Sequence, residues 1–359
     1  MKKLLTLLFI FQTLIIHAQI GAPSGGGGTM VSDTSTIAKA KFVPAPLINY
    51  SRSIGFAGGV VPMYMWNINK KDTISPQSLV GGLGMYSTNK TYFGMGFARL
   101  YLNEDKWRIQ FGGGNGNVNF QVFIHQIVDD YVDYGTSFWF FKAQIKRKIF
   151  KSLYGGIVID YTGFDTTFDL PTNPEIENSF TGFGLILEND LRDNVYYPYG
   201  GSQASLEWNS YPIWLGNEDT SNKLTPTYNK YISFRDKKDV LATRIYGAFR
   251  LGAIAFNQEV VVMGNDLRGY TQGKYRGKGM VDIQAEYRYN FSKKMGMVGF
   301  AGLGTIYGAT DEENNGVILP SIGTGFRYNI FPANHMNVGL DAAVGRDDWG
   351  IYFRIGEAF

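Results

Sequence analysis

The 359-residue sequence contains no cysteine and only three histidines. Without cysteine, the chain has no disulfide bonds, no thiolate metal sites and no cysteine nucleophile. A formal net charge of +3, from 34 basic and 31 acidic residues, excludes the concentrated positive charge that nucleic-acid binding requires. With 26 Phe, 23 Tyr and 6 Trp, the chain has too much apolar surface to stay disordered.

Long apolar runs are also scarce, and the one that exists lies at the N-terminus. It extends from Leu4 to Ile16, follows Lys2 and Lys3, and precedes the small residue Ala18. This order predicts a secretory signal peptide over residues 1–19. The alternative, a membrane anchor, needs a longer run of about 20 residues. No later window approaches that length, so we expect an exported chain whose mature part has no transmembrane helix.

The rest of the sequence divides into two textures. Residues 20–46 are rich in Gly, Ser, Thr and Pro, which predicts an N-terminal linker. From residue 47 to 359, segments of about ten residues alternate between apolar and polar side chains and are separated by turn residues. In Val281–Phe291, for example, Ile283 and Tyr287 share an apolar face while Glu286 and Arg288 share a polar one.

A soluble sandwich also alternates, but three details favour a membrane. The apolar faces are long and end in Tyr or Phe, as in a lipid-facing band between aromatic girdles. The polar faces carry Arg, Glu and Asp in mid-strand, which suits a wet lumen. The chain also ends in an alternating aromatic segment, Trp349–Phe359. Because lipid requires every backbone group to be paired, we predict an all-β fold, a transmembrane antiparallel β-barrel over residues 47–359.

The number of strands is predicted as sixteen. Seventeen candidate segments can be found between residues 51 and 359, and bacterial single-chain barrels have even strand numbers. One candidate is therefore false or merged. The weak run 229–235 and the glycine-rich region 106–128, read as two strands, are the suspects.

No constellation for catalysis or metal binding is found. His17 leaves with the signal peptide, and neither His125 nor His335 has a neighbouring ligand at a recognised spacing. The acidic run 311–316 lacks the final Glu of a calcium loop. The glycine run 112–117 lacks the helix of a phosphate-binding turn, so we interpret it as a tight turn or a barrel kink. We predict no catalytic residues, no cofactor, no metal and no enzymatic activity.

Two segments between strong strands stand out. In the first, six residues follow the pattern D-x-R-D-N-x-x-x-P-x-G: Asp190, Arg192, Asp193, Asn194, Pro198 and Gly200. The second contains Leu267, Arg268, Gly269 and Tyr270. Taken by themselves, both are compatible with ordinary connections between strands, with Asx-type turns in the first and a basic surface loop in the second.

Together, the two segments resemble signatures of the BamA/TamA-type outer-membrane superfamily, also called the bacterial surface antigen family. The resemblance covers roughly residues 47–359. Within it, Leu267–Tyr270 is similar to the V-R-G-Y/F signature. The C-terminal segment resembles the strand signal that outer-membrane barrels present to their assembly machinery, with Phe353, Ile355 and Phe359 as its apolar residues.

The resemblance implies a role for each residue of the second segment. Arg268 would lie at the tip of a loop folded into the lumen and pair with Glu286, whose alternation phase also directs it inward. Gly269 would permit the turn, and Tyr270 would pack the tip against the wall. The family's F-x-D-x-G pattern has Gly302 in place of Asp here, so Asp341 is a possible substitute partner.

The same resemblance implies a protein of the cell outer membrane of a diderm bacterium that acts in outer-membrane protein assembly, insertion or secretion. Residues 20–46 are too few for a POTRA domain, so we expect none in this chain. The expected partners are outer-membrane lipid, unfolded outer-membrane or secreted client proteins, and subunits of an assembly machine. The alternative is a passive outer-membrane pore or small-molecule channel with a basic lumen, lined by residues such as Arg244, Arg250 and Lys142.

Overall fold

The computed structural model describes residues 41–51, 55–124, 130–168, 175–254, 258–264, 266–270, 274–309, 312–332 and 335–359. These residues form antiparallel strands and two 3-10 turns, Ile213–Leu215 and Glu312–Asn314. The strands are β1 Lys41–Ser51, β2 Gly55–Trp66, β3 Ser78–Ser87, β4 Tyr92–Leu102, β5 Trp107–Ile124, β6 Asp130–Phe150, β7 Leu153–Phe168, β8 Glu175–Asp190, β9 Gly201–Tyr211, β10 Ser221–Phe234, β11 Asp239–Gly252, β12 Val260–Val261, β13 Arg276–Asn290, β14 Met295–Ala309, β15 Ile318–Phe331, β16 Met336–Val344 and β17 Trp349–Ile355.

The strands close into a transmembrane barrel. Each wall strand pairs with its neighbour in sequence, β11 pairs with β13, and β17 returns to β1. The two-residue β12 lies in the connection between β11 and β13 and is not a wall strand. Sixteen strands therefore form the wall, as predicted. We call the end that holds Lys41 and Ile355 the terminal end, and the opposite end the loop end.

Three of the predicted strand boundaries were wrong. The barrel begins at Lys41 rather than at residue 47, because the prolines that suggested a linker are accommodated within β1. The suspicion that the region 106–128 holds one merged strand is confirmed, because β5 runs without a break from Trp107 to Ile124. The suspect run 229–235 belongs to a genuine strand, β10, whereas the predicted strand 257–263 contributes only β12.

The glycine run 112–117 is not a turn, because it lies in the middle of β5. A Cβ on Gly114 would lie 2.7 Å from the Cβ of Met95, and one on Gly116 would lie 3.0 Å from the ring of Phe138. Side chains of β4 and β6 therefore cover this strip of bare backbone from both sides. The rings of Phe93 and Phe138 stack at 5.6 Å across it.

The outward face of the barrel is apolar, as the alternation predicts. In β13, Val281, Ile283 and Tyr287 are exposed, while the residues between them are buried. The same pattern occurs in β2, where Val60 and Tyr64 are exposed. A continuous apolar exterior of this kind matches the hydrocarbon core of a bilayer. Within the described part of the chain, no helix has the length and apolar character required to cross a membrane.

The inward face differs from the prediction, because it is polar on only part of the wall. In β13–β17 it carries buried charges such as Glu286, Arg327 and Asp341. In β1–β4 it is mostly apolar, although it includes the buried Asn49 and Arg99. Its apolar residues pack into one cluster: Val43, Ala45, Leu47, Ala57, Val61, Met63, Met65, Leu79, Leu83, Met85, Phe93, Met95, Phe97 and Tyr101. These first strands are thus mostly apolar on both faces, so alternation of polarity could not reveal which side points inward.

Candidate functional site

The connection between β11 and β13 enters the barrel and places its tip against the inner wall. Leu267, Arg268 and Tyr270 are at most 1% exposed. Arg268 Nη1 donates to Glu286 Oε2 of β13 at 2.7 Å and to Asp341 Oδ2 of β16 at 2.8 Å. The structure therefore brings Arg268 together with both carboxylates that the sequence analysis named as its partners.

The guanidinium of Arg268 is held by more than these two hydrogen bonds. Its Cζ lies 3.3 Å from the centre of the Phe300 ring, a stacked cation–π contact. Ser321 Oγ donates to the main-chain oxygen of Arg268. Nε and Nη2 of Arg268 have no hydrogen-bond partner within the described residues. Because the head group is fully removed from water, its attachment depends on the two carboxylates and the ring.

Arg268 belongs to a larger buried network of alternating charges. Asp341 also accepts from Arg327 and, at 2.9 Å, from Arg354 Nε. Glu286 accepts from Arg288 Nε at 2.9 Å. The network thus joins β13, β15, β16 and β17 to the loop tip. Three of these arginines, at 288, 327 and 354, were not assigned to it from the sequence, although their inward phase could have suggested it.

Packing around the tip explains the neighbouring residues. A Cβ on Gly302 would lie 3.0 Å from Leu267 Cδ1, and one on Gly304 would lie 3.0 Å from Leu267 Cδ2. Leu267 therefore occupies the space that an Asp at position 302 would need. Gly269 has φ +101°, and a Cβ there would lie 2.6 Å from the carbonyl carbon of Val344. Only glycine fits this turn without strain.

Tyr270 completes the attachment of the tip. Its hydroxyl donates to Pro320 O at 2.7 Å and accepts from Arg346 N at 3.0 Å. Burial raises the pKa of Tyr270 to about 12, so the phenol keeps its proton and remains a donor. Gly269 N donates to Tyr352 Oη of β17 at 2.9 Å. The loop tip is therefore bonded to the last strand as well.

The second sequence motif closes the terminal end of the barrel. It forms the connection between β8 and β9, whose tyrosines lie inside: Tyr196 Oη donates to Gln77 O at 2.6 Å, and Tyr199 Oη lies 2.9 Å from His335 Nδ1. Gln77 precedes β3 and His335 precedes β16, so the connection contacts two well-separated parts of the wall. We call it the terminal plug, residues 191–200.

The motif residues stabilise the conformation of the plug. Asn194 Oδ1 accepts from the main-chain N–H of Tyr196 and Tyr197. Asp193 Oδ1 accepts from the main-chain N–H groups at positions 199 and 200. Gly200 closes that turn, and Pro198 is buried. The Asx-type turns expected from the sequence are therefore present, but in a connection that folds inward.

A second ionic network anchors the plug, and sequence reasoning missed it. Asp190 binds Arg192 through both carboxylate oxygens at 3.1 and 3.0 Å. Arg108 Nη1 donates to Asp190 at 3.1 Å and to Glu188 at 3.2 Å. Lys146 Nζ donates to Glu188 Oε2 at 3.1 Å. The inward phase of Arg108, Lys146 and Glu188 on separate strands was the available signal.

The C-terminal residues do not form the strand end that was predicted. β17 ends at Ile355, and Gly356 turns the chain with φ +80°. Phe359 is 3% exposed and packs with Tyr197 and Tyr231 inside the barrel rather than facing lipid. Arg288 Nη2 donates to the main-chain oxygen of Phe359 at 2.6 Å.

The two apolar residues before this turn also differ from a lipid-facing strand end. Ile355 is 5% exposed and belongs to the same apolar cluster as Ala45 and Leu47 of β1. Phe353 packs against that cluster and is half-buried. Only the alternation up to Phe353 therefore corresponds to the predicted pattern.

The seam between β1 and β17 is the weakest junction in the wall. Among the described residues, one residue pair joins the two strands, Tyr50 with Ile351, whereas β16 and β17 share a register from Val338 to Val344. The rings of Tyr50 and Trp349 stack at 5.4 Å next to that pair. The seam is therefore paired near the loop end, and the described residues show no further pairing between β1 and β17 towards the terminal end.

Prolines limit the pairing that the edge of β1 can offer beyond Tyr50. Pro44 of β1 lies opposite Pro62 of β2. Neither has an N–H, so the two cannot form a hydrogen-bonded pair, and the main-chain groups of Pro44 point away from β2. Because main-chain directions alternate along a strand, the main-chain groups of Pro46 and Tyr50 also point away from β2, towards β17. Two positions on this edge of β1 consequently have no donor.

Comparisons with known proteins identify the fold. No protein-family model and no curated protein match the sequence. Among solved structures, the barrel aligns with BamA from Haemophilus ducreyi lacking POTRA domains 1-3, at a TM-score of 0.53 and 13% identity, over 87% of this chain and 70% of that one. It aligns with CdiB from Acinetobacter baumannii at a TM-score of 0.59 and 12% identity, over 88% and 59% of the two chains.

CdiB from Escherichia coli gives a TM-score of 0.59 at 10% identity, over 90% of this chain and 66% of that chain. This chain therefore spans less than two thirds of the length of both CdiB proteins. At such identities the likeness concerns the fold, which is that of the BamA and CdiB barrels.

Proposed function

We propose, from a barrel fold shared with BamA and CdiB, that this protein resides in the outer membrane of a diderm bacterium and acts in the insertion, assembly or secretion of other proteins. Its partners would be unfolded client chains, surrounding lipid and subunits of an assembly machine. The observation that carries this proposal is the seam, where a single residue pair joins β1 to β17 within the described part of the chain.

A seam of this kind suits strand exchange. Every other junction of the wall has a ladder of at least seven residue pairs, as between β16 and β17, so opening elsewhere would break many more hydrogen bonds. Unpaired main-chain groups at a sheet edge recruit an incoming strand. Because Pro44 and Pro46 limit the edge of β1, an incoming strand would find donors mainly on β17.

The buried loop tip would keep the barrel competent. Arg268 joins β13 to β16, and Gly269 and Tyr270 contact β17 and β15. These contacts hold the wall on the β17 side of the seam as one unit, while β1 has few bonds across the seam. Opening would then move β1 and its neighbours away from a fixed edge. We propose a mechanical role of this kind and no enzymatic activity.

A passive pore is the second candidate, and the interior argues against it. The terminal plug crosses one end of the barrel, and the loop tip is packed against the wall with side chains that exclude water. Of the basic residues proposed to line a pore, Lys142 is paired with Glu207 at 2.6 Å. A lumen obstructed by the terminal plug and the loop tip conducts solutes poorly.

The experiment is to lock the seam. The chain has no cysteine, so Tyr50→Cys with Ile351→Cys introduces one unambiguous disulfide between residues whose Cα atoms face each other. Outer-membrane and secreted proteins would be quantified after depletion of the protein and complementation with this variant, with and without reductant. Tyr50→Cys alone is the matched control.

We expect depletion to lower the amounts of several other barrels or secreted proteins. The oxidised double variant should fail to restore them, while the reduced form and the single variant restore them. Full rescue by the locked barrel would contradict a role for the seam. An unchanged proteome with altered solute uptake would instead support the pore.

A further inference from the structure

We infer that a cavity in the interior of the barrel binds a small organic anion that carries its own hydrogen-bond donor. The cavity has a volume of 230 Å³ and lies between the inner faces of β6–β11 and the residues Gln258–Val261. It is much larger than the space that one buried water needs. None of the residues used below takes part in the Arg268 network or the terminal plug.

The first observation is a pair of cations that forms no ion pair with any described residue, although Glu259 and Asp266 also line the cavity. Lys223 of β10 lies directly opposite Arg250 of β11 in the ladder, and both line the cavity. Nε and Nη1 of Arg250 are buried without a hydrogen-bond partner in the part of the chain that the structure describes. Like charges placed opposite each other destabilise a sheet, and an unsatisfied guanidinium adds a desolvation cost. An anion between them would offset both.

A third cation in the cavity, Lys142, already has a carboxylate partner. Lys142 also lines the cavity, and its ammonium lies 2.6 Å from Glu207 Oε1. Glu207 is further saturated by Gln144 and Asn209, which donate at 2.7 and 2.6 Å. Glu207 therefore has little capacity left for Lys223 or Arg250.

The second observation is an unpaired acceptor in the same cavity. Asp160 Oδ2 accepts from Tyr211 Oη at 2.8 Å, but Oδ1 is buried and receives no hydrogen bond from any described residue. A simple anion would be repelled by this oxygen. A molecule with an anionic group for Lys223 and Arg250, and a hydroxyl or ammonium for Asp160, would satisfy all three.

The remaining walls indicate the body of the ligand. Phe140, Phe164 and Phe180 line one side of the cavity, and Tyr211 lies beneath the Arg250 guanidinium at 5.0 Å. Aromatic faces of this kind pack against the C–H face of a sugar or a short aliphatic chain. The ligand class is therefore a hydroxylated small molecule bearing a phosphate or carboxylate, of which a sugar phosphate is the simplest probe.

The test uses the full chain refolded in detergent micelles. Binding of glucose 6-phosphate, inorganic phosphate and glucose would be measured by isothermal titration calorimetry. We expect glucose 6-phosphate to bind more tightly than inorganic phosphate, and glucose not to bind. Lys223→Ala and Arg250→Ala should each weaken glucose 6-phosphate binding by about tenfold or more, the size expected for a lost charged hydrogen bond. Lys230→Ala, on the outward face of the same strand, should have no effect.

Asp160→Asn distinguishes the anion site at Lys223 and Arg250 from the donor requirement at Asp160. It should weaken glucose 6-phosphate binding while leaving inorganic phosphate unchanged or tighter. Equal binding of both anions, unaffected by Asp160→Asn, would overturn the requirement for a donor. Absence of heat with either anion, or binding that survives Lys223→Ala and Arg250→Ala in variants that retain the folded barrel's gel mobility, would overturn the site itself.

Discussion

The two sides of the seam are built from different interactions. On one side, the inner faces of β1–β4 form an apolar cluster that includes Met63, Met65 and Phe93. On the other side, the inner faces of β13–β17 are joined by buried arginines and carboxylates around Asp341. The first kind of packing has no preferred direction, whereas charged hydrogen bonds specify distance and angle.

The contrast between apolar packing and charged hydrogen bonds suggests that the two sides of a closed barrel differ in how easily they rearrange. Methionine adapts its shape to new neighbours at small cost, so β1–β4 can shift and repack. The β13–β17 side cannot shift without separating Arg268 from Glu286 and Asp341, which would leave charges unpaired in a dry interior. We propose that the seam divides a more adaptable wall from a more rigid one.

The largest effect should come from removing the central arginine. Arg268→Ala leaves Glu286 and Asp341 buried with one cation fewer, a change that typically costs about 3–5 kcal/mol. We expect a matching fall in the free energy of unfolding, measured by urea titration of the barrel in lipid vesicles. Lys106→Ala is the control, since Lys106 pairs with Glu104 at the surface, where both side chains are about half exposed, and its loss should leave stability near that of the parent. Equal effects of the two changes would contradict the assigned role of Arg268.

The next comparison uses conservative substitutions on both sides. Met65→Leu keeps the volume of the apolar cluster and should cost less than about 1.5 kcal/mol. Arg268→Lys keeps the charge but cannot reach two carboxylates and stack on Phe300 with a planar head group, so it should cost more than Met65→Leu. The measurement is the same urea titration. If Arg268→Lys were the milder change, the β17 side would not depend on directional bonds.

The smallest effect should come from the edge of β1. Replacing Pro44 and Pro46 by Ala restores two N–H donors on the edge of β1 at the seam, of which position 46 lies opposite Ile355 in the register set by Tyr50 and Ile351. One added hydrogen bond contributes about 0.5–1.5 kcal/mol. The double variant should slow opening of the seam, measured as slower disulfide exchange in the Tyr50→Cys/Ile351→Cys background. Pro62→Ala is the control, because Pro62 lies on β2, away from the seam. An unchanged exchange rate would show that the prolines do not limit pairing.

Much of this architecture could be predicted because polar and apolar side chains alternate along the strands. Between β13 and β17 the inward residues are charged and the outward ones apolar, so the phase of Glu286 and Asp341 could be read from the sequence. The same reasoning predicted a closed barrel, since unpaired backbone cannot face lipid.

Other features could not be predicted, each for a physical reason. In β1–β4 both faces are mostly apolar, so periodicity carries no information about direction. β1 was assigned to a linker because Pro44 and Pro46 are rare within sheets, and only an edge with little pairing tolerates them. The inward turn at Gly356 depends on Arg288 and Tyr231, which are distant in sequence. Pairing of Arg108 with Glu188 likewise joins strands far apart along the chain.

The central claim, that Arg268 couples the lumen loop to the wall, is tested most directly by a double-mutant cycle. The free energies of unfolding of Arg268→Ala, Glu286→Ala and the double variant would be compared with that of the parent. Because Arg268 Nη1 lies 2.7 Å from Glu286 Oε2, the two losses should not add, with a coupling energy of about 0.5–3 kcal/mol. Losses that add fully would show that the two residues act independently and would contradict the account.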